Sequence, residues 1–268
     1  MIDIHCHIVP DVDDGARSLE EAVAMCRRAA ADGCRAMVAT PHVRHERWWN
    51  ADTAELERRL DLVRQHLGPS PALFLGGEIA CHSTSYDEIL EGPRSGRVPN
   101  LAGSTYGLLE LDWQGFGSPA PEELMHEASI AGWRPILAHP ERVPWLMRDE
   151  GLLEALIDLG TLFQVTAGSL VGTLGRESRQ SAYRLLDAGW AHFVASDAHD
   201  LERRPPVMSE AYGLVEAQWG ADVARVLFVD NPRAVIENRP LGSAAESETA
   251  SHAQGPRPTL VPGTVVGS

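Results

Sequence analysis

The chain has 268 residues, 44% of them hydrophobic, and a formal net charge of −15. That length allows one large domain or two small ones with a sizeable core, and an acidic balance with no basic stretch to offset it argues against nucleic-acid binding. No apolar run approaches the ~18 residues of a membrane span, the N-terminus opens on a strand-like segment rather than a leader, and the four cysteines (Cys6, Cys26, Cys34, Cys81) form no CxxC pair, so a reduced cytoplasmic protein is expected.

Strand and helix signals alternate along the chain. Residues 2–4 read as the first strand. Ser18 with Glu21 forms a capping box opening a helix that runs to Gly33. A second strand covers 36–39. Asp52 with Glu55 caps a helix ending near Gly68. A third strand (73–75) is followed by a short helix over 86–90. A fourth strand (106–111) leads into a helix over 121–131 with proline in its first turn. A fifth (135–138) precedes a helix over 145–159. A sixth (162–165) precedes a helix over 177–188, and a seventh (193–195) is followed by helices near 210–219, 222–227 and 232–238.

Seven strand–helix units over about 240 residues predict a parallel α/β fold with short strands buried on both faces. Residues 243–268, rich in Ser, Ala, Gly, Pro and Thr, read as a disordered tail after a folded unit over 1–242.

The chemistry-bearing residues fall at or just past the strand ends. His5 and His7 follow the first strand at a spacing of two, which sends both imidazoles to one face and Cys6 to the other. Asp14 comes next, within Asp-Val-Asp-Asp-Gly, where Asp11 and Asp13 compete for its role and a solvated turn is the alternative. A calcium loop is discarded, because the downstream glutamate is missing. His42 follows the second strand, Glu78 the third, and Glu110 ends the fourth. His139 follows the fifth in His-Pro-Glu-Arg, and Asp197 and His199 follow the seventh in Ser-Asp-Ala-His. Six of the seven strands contribute, which favours a ring of strands with its site at their carboxyl ends over an open sheet with one switch point. Five histidines and four carboxylates are too many donors for one ion and suit two or three. The set is hard to borderline, fitting manganese, iron, zinc or magnesium. Such clusters typically hydrolyse esters by acidifying a bridging water and clamping the attacking and leaving oxygens. The same carboxylates account for part of the chain's acidity, which bound cations would offset.

Taken together, the N-terminal HxH, DVDDGA, TPH, GGEI, HPER and SDAH segments resemble the polymerase-and-histidinol-phosphatase (PHP) superfamily. IDIHCHIVPDVDDGARSLEEA, SDAHDLERRPP and LFVDNPRAVIEN resemble more closely its bacterial tyrosine-protein phosphatases of the CpsB/YwqE type, encoded with capsule and exopolysaccharide systems. The resemblance covers about residues 1–239 and implies a distorted (β/α)7 barrel with a trinuclear, typically manganese, centre; iron, cobalt, zinc and magnesium are alternatives. By motif, His5, His7, Glu78 and Asp197 would hold one ion. Glu78 would bridge to a second, held also by Glu110 and His139, and Asp14, His42 and His199 would hold the third. Arg142 and Arg204 match arginines that contact phosphate. The implied partner is a phosphotyrosine protein, the tyrosine-rich tail of a cognate bacterial kinase, with no nucleic acid and no membrane insertion.

Charge neutralisation of a phosphate monoester by metals and guanidinium forks agrees with that reading. A phenolate leaving group, with a pKa of about 10, needs less help from a general acid than an alkoxide; a metal-bound water and His42 are the candidates for that acid. A small-molecule phosphatase acting on histidinol phosphate is the alternative within the superfamily. A scaffold on a decayed barrel is disfavoured by the intact donor set, and a DNA-processing exonuclease by the absence of a basic groove. No cysteine has an arginine six positions later, which excludes a cysteine-based tyrosine phosphatase. Arg44, His45, Arg47, Trp48 and Trp49 read as a loop, with a stack of substrate on tryptophan as the functional alternative. Arg142 could instead pair with Glu141. His66, His82, His126 and His192 carry no motif support.

Overall fold

The computed structural model describes residues 1–50, 52–81, 99–113, 115 and 120–242. The expected helix over 86–90, His82 and the tail from 243 lie outside these residues.

Every described strand pairing is parallel. One sheet runs β1 (Ile2–Cys6), β2 (Ala36–Ala39), β4 (Ala72–Leu75). The other runs β3 (His42–Val43), β5 (Glu78–Ala80), β6 (Tyr106–Glu110), β7 (Arg134–Ala138), β8 (Leu162–Thr166), β9 (Ala191–Ala195). Among the described residues nine strands replace the expected seven, because the second and third each break for two residues and resume. Pro41 has no N–H to continue the ladder at the first break. At the second, a Cβ on Gly76 would lie 2.8 Å from Leu101 and 2.9 Å from Val38, so only glycine lets the chain pass. Backbone bonds bridge both breaks: Gly76 N donates to Ala39 O at 2.8 Å and Glu78 N to Pro41 O at 3.0 Å. Beyond β9, Asp197 N donates to His5 O and His7 N to Ala198 O, both at 2.8 Å. These bonds tie the end of β1 to the segment after β9.

The helices follow the capping chemistry closely. In α1 (Leu19–Ala31) the Ser18 side chain accepts from Glu21 N, but Glu21 accepts from Arg17 N rather than returning the bond to Ser18. Asp52 caps α2 (Thr53–Leu67) through Glu55 N. Next comes α3 (Pro121–Ile130), with proline at its start. The helix expected over 145–159 is two pieces, α4 (Pro144–Met147) and α5 (Glu150–Asp158). Asp149 accepts from Leu152 N and so starts a new helix instead of continuing the old one. A short α6 (Ala167–Val171), absent from the expected elements, precedes α7 (Arg176–Asp187). The C-terminal run is α8 (Ser209–Trp219), α9 (Ala221–Arg225), a π-type turn over Val226–Asp230 and α10 (Asn231–Ile236). None of the described helices is long and apolar enough to cross a membrane.

Two apolar clusters fill the structure. The larger lies between the sheets and the helices. The smaller gathers Ile2, Ile4, Val38, Tyr106, Leu108, Ile136 and Phe193. Leu108 and Glu110 are two apart on β6, so the smaller cluster shares its sheet face with the site residues. On β1 that alternation is broken deliberately. The register with β2 slips between Asp3 and Cys6. Ile2 and Ile4 therefore belong to the smaller cluster while Cys6, two further on, belongs to the larger one. The slip turns His5 and His7 onto the face that strict alternation from Ile4 would have denied them.

Candidate metal centre

All nine candidate donors converge at the carboxyl ends of the strands. Their atoms form four overlapping groups, each within 4.8 Å: His7, Asp14, His42 and His199; His5, Glu78 and His139; His5, His7 and Asp197; and His42, Glu78 and Glu110. Glu78 is the hub. Its Oε1 lies 3.3 Å from His5 Nε2 and 2.9 Å from His139 Nε2, and its Oε2 lies 3.3 Å from His7 Nε2 and 3.1 Å from His42 Nδ1. Asp197 Oδ1 lies 3.3 Å from His5 Nε2 and 3.6 Å from His7 Nε2. Asp14 Oδ1 is 3.4 Å from both His42 Nε2 and His199 Nε2. The partition differs from that implied by resemblance in that His7 also joins the Asp14 group; Glu110 falls in a group with His42 and Glu78 but lies 3.7 Å from both His42 Nδ1 and His139 Nε2.

The local chain accounts for these positions. His139 and Asp197 both adopt left-handed backbone, with φ of 35° and 51°, a conformation costly for non-glycine residues and held only where the surroundings over-determine it. Gly15 lets the Asp11–Ala16 turn lie against His7, since a Cβ there would be 2.2 Å from His7 O. Asp13 and Asp14 divide their labour. Asp13 is buried, accepting from His42 N at 2.9 Å and Gly15 N at 3.0 Å and pairing with His7 Nδ1 at 2.8 Å, whereas Asp14 faces the cluster. Asp11 turns outward to Arg59. His5 Nδ1 meets Gln164 Oε1 at 2.8 Å. Asp13 and Gln164 thus fix the ring orientations of His7 and His5 and leave each Nε2 for the cluster.

The electrostatics are those of a site lacking sufficient positive charge of its own. Burial, and then the neighbouring Glu78, push the Glu110 carboxyl up to about 8. Burial opposes ionisation of Asp197, yet His5, Arg204, His199 and Arg142 hold it well below the usual carboxylate range. Burial disfavours the His5 and His7 imidazoliums, but Glu78 and Asp197 around the first and Asp13 and Glu78 around the second raise both. His139 and His199 go the other way, lowered chiefly by burial. Four buried polar atoms here, His42 Nδ1, His139 Nδ1, His199 Nε2 and Asp197 Oδ1, have no hydrogen-bond partner. Buried polar atoms are normally satisfied. Three of them, His42 Nδ1, His199 Nε2 and Asp197 Oδ1, lie among the converging donors. With the imidazole and carboxylate donor set, this fits divalent cations.

Arg142 Nη1 donates to Asp197 Oδ2 at 2.6 Å and Arg204 Nη2 donates to the same oxygen. Arg142 therefore reaches the cluster rather than Glu141. Glu141 is buried and accepts from Thr166 N at 3.0 Å and Ser169 Oγ at 2.7 Å, pinning the Pro140–Arg142 turn to the end of β8. Over the rim, Trp48 stacks on His42 with ring centroids 5.2 Å apart and planes 7° from parallel. Arg47 lies 5.9 Å over the Trp48 ring. Trp48 is half-buried under these interactions, and the adjacent Trp49, 56% exposed, has Arg44 5.9 Å over its ring. His66 is exposed and bonded to Leu62 O, His126 joins no donor group, and His192 accepts from Phe163 N, away from the cluster.

The family model described as capsular polysaccharide synthesis, CpsB/CapC, matches residues 1–237. The tyrosine-protein phosphatase YwqE of Bacillus subtilis (strain 168) is 32% identical over 241 residues, covering 89% of this chain and 92% of that one. The tyrosine-protein phosphatase CpsB of Streptococcus pneumoniae is 32% identical over 243 residues, covering 88% and 98%. A crystal structure from work on those two proteins, described as unique metal-dependent tyrosine phosphatases, superposes with a TM-score of 0.77 at 29% identity over 90% of this chain and 96% of that one. A TatD homologue from Escherichia coli, 16% identical with a TM-score of 0.51 over 90% of this chain and 98% of that one, shares the fold alone. With a family match from residue 1 to residue 237 and relatives above 30% identity over most of its length, the chain belongs to the CpsB/CapC family of capsular polysaccharide synthesis.

Proposed function

We propose that this protein is a metal-dependent protein-tyrosine phosphatase, a phosphoric monoester hydrolase whose substrate is a phosphotyrosine protein. The observation that carries this reading is the convergence of nine donor residues, with unpartnered buried atoms among them, beside two arginines. The names borne by the relatives support the choice of phosphotyrosine.

His5, His7, Asp14, His42, Glu78, Glu110, His139, Asp197 and His199 would hold the ions, three of them by the number of donors, with manganese favoured and iron, cobalt, zinc or magnesium compatible with the same set. Bound there, divalent ions would supply Lewis acidity, neutralising phosphate charge and lowering the pKa of water. The chain's own residues supply the rest. Arg142 and Arg204 place two guanidinium groups against the Asp197 edge of the cluster, within reach of phosphate oxygens, whose geometry the guanidinium fork matches. Glu141 holds the turn that carries both His139 and Arg142. Asp13 and Gln164 keep the first two imidazoles in the tautomer that presents Nε2. The phenolate released is a good enough leaving group to need little from a general acid.

The same geometry supports a finer fold reading. A distorted (β/α)7 barrel over residues 1–242 is supported by strand neighbours that follow sequence order in both sheets and by the bonds from β1 to the segment after β9. Four free, buried cysteines support a reduced cytoplasmic setting. The cognate substrate we favour is the tyrosine-rich tail of a bacterial tyrosine kinase that controls capsule or exopolysaccharide synthesis.

Phosphate release from a phosphotyrosine peptide and from histidinol phosphate, side by side and with or without manganese, tests the reading. Manganese-dependent turnover that favours the peptide is expected. Preference for histidinol phosphate would move the protein to small-molecule metabolism, and no turnover of either with metal bound would sink the phosphatase reading.

A further inference from the structure

The first strand carries a buried acid that is not among the nine donors. Asp3, in β1, is only 1% exposed. A carboxyl group out of reach of water is costly unless its oxygens are hydrogen-bonded, and those of Asp3 are. Oδ1 accepts from His5 N at 3.3 Å and from Ser196 N at 3.0 Å, and Oδ2 accepts from Ser196 Oγ at 2.6 Å. Ser196 Oγ in turn accepts from Ala198 N at 3.1 Å.

These four bonds bracket two donors of the centre. On β1, Asp3 holds the amide of His5 itself. Beyond β9 it holds Ser196, the residue before Asp197, and through the Ser196 hydroxyl it reaches Ala198, the residue after. Pairing of β9 with β8 ends at Ala195, and the carboxyl–hydroxyl pair takes up the buried N–H groups of the turn that follows. Within that turn Asp197 adopts left-handed backbone, which a residue other than glycine keeps only where its neighbours enforce it. The outcome is Asp197 Oδ1 at 3.3 Å from His5 Nε2.

The sheet does not supply this precision unaided. The pairing of β1 with β2 slips between Asp3 and Cys6, so the strand is irregular at the residues that lead into His5. Joining β1 to the segment after β9 is already served by backbone bonds, His7 N to Ala198 O and Asp197 N to His5 O. The additional pair of side chains acts on the one turn that presents Asp197.

We infer that Asp3 is a positioning residue of the metal centre: with the Ser196 hydroxyl it sets the turn that presents Asp197 to His5, and so governs the affinity of the ion these two donors would share. The inference rests on the metal centre of the phosphatase reading above, and the test separates the two. Manganese is titrated calorimetrically into the metal-free full-length chain. The tightest binding step is expected at donors held by strand ends rather than by loops. Ser196→Ala, which removes the hydroxyl and little volume, should weaken that step by about 10–100-fold, the range for outer-sphere partners. Ser196→Thr, which restores a hydroxyl, should recover most of the loss. Asp3→Asn, which cannot accept at both of its side-chain atoms, should weaken the same step. The double variant Asp3→Asn with Ser196→Ala should lose little more than the larger single loss, because the two side chains act as one unit. The thermal midpoint of each metal-free variant is read alongside. A midpoint that falls while the tightest manganese step is unmoved marks a merely structural clasp and overturns the inference, as does a double variant in which the two losses multiply. Failure of both single variants to fold would assign the pair to the fold and overturn it too. Manganese bound by the wild type without turnover of a phosphotyrosine peptide or p-nitrophenyl phosphate sinks the phosphatase reading and leaves the positioning role standing. No manganese bound by the wild type removes the centre and the inference with it.

Discussion

The donors at the floor of the centre and those at its rim are held by different means. His5, Glu78, His139 and Asp197 sit on or directly after strands, are almost wholly buried, and are fixed by further contacts: Gln164 on His5, two arginines on Asp197, and left-handed backbone at His139 and Asp197. Asp14 and His199 come from loops, and Asp14 keeps 46% of its side chain exposed. The third rim residue, His42, starts a two-residue strand and is covered by Trp48. Strand-end donors inherit the precision of the sheet, whereas loop donors need local props and yield more readily. We therefore expect a floor that binds its ions tightly and a rim whose ion exchanges.

Removing Glu78 should have the largest effect, because its two oxygens face donors of both parts. It lies within 3.3 Å of His5, His7, His42 and His139. Glu78→Ala should lower kcat/KM by well over about 100-fold, beyond what loss of an outer-sphere partner costs, and reduce bound metal to less than half by elemental analysis. The protein should still fold, since the apolar clusters do not depend on this side chain. Wild-type activity at matched metal content would remove Glu78 from the centre altogether. His139→Ala should behave similarly.

Asp14→Ala should break the symmetry between floor and rim. Among the described residues Asp14 pairs with His42 and His199, so this variant should lose one ion and retain the others. Its remaining activity should recover with excess manganese, in contrast to Glu78→Ala. Equal metal loss in the two variants would show that the centre assembles as one unit and that the distinction drawn here is false.

The grouping of the nine side chains was legible in the sequence because each follows a short apolar run, and strand ends on one rim converge. Less of the supporting structure was legible. Gln164 sits inside Leu-Phe-Gln-Val-Thr, a run read as buried strand. A polar residue in such a run was the available signal, but nothing local says that it faces His5. Among Asp11, Asp13 and Asp14 the motif points to Asp14, but the turn itself offers three carboxyls of one type. Only the close approach of Gly15 to His7 decides which one is buried and which faces the cluster. The register slip on β1 appears in its pairing with β2, which local periodicity does not record. The split of α4 from α5 was more accessible, because Asp149 is a good N-cap. Shortness explains the missed β3 and β5: two and three residues are too few for a period to show.

The outer-sphere partners should cost less than the donors. Gln164→Ala removes the group that orients His5 through Nδ1 and should reduce metal affinity or kcat/KM by about 10-fold, within the range for outer-sphere partners. Gln164→Glu keeps an acceptor at the same position and should recover part of the loss. Asp13→Asn, which weakens the bond to His7, should fall in the same range. Unchanged calorimetric metal affinity in both alanine and asparagine variants would mean that the sheet alone fixes the ring orientations.

The smallest effect is expected at Trp48. Its indole lies parallel to His42 and 5.2 Å from it. Asn50 Nδ2, meanwhile, donates to His42 O at 2.8 Å and to Val12 O at 2.9 Å, tying the same loop to the turn that carries Asp14. The stack thus restrains a ring whose backbone is already held, and its removal should loosen the rim without dismantling it. Trp48→Ala should weaken the most weakly bound manganese ion by a few-fold, on the scale of about 0.5–1.5 kcal/mol for an aromatic contact, while Trp48→Phe should preserve most of the affinity. Manganese is paramagnetic, so an ion held by His42 should also quench Trp48 fluorescence. The quench lost in Trp48→Phe, measured against total emission, then reports occupancy of the rim alone. A substrate ring stacked on Trp48 predicts instead that Trp48→Ala raises KM for aryl phosphates and leaves metal affinity untouched. The geometry argues against that, because His42 and Arg47 already occupy the indole.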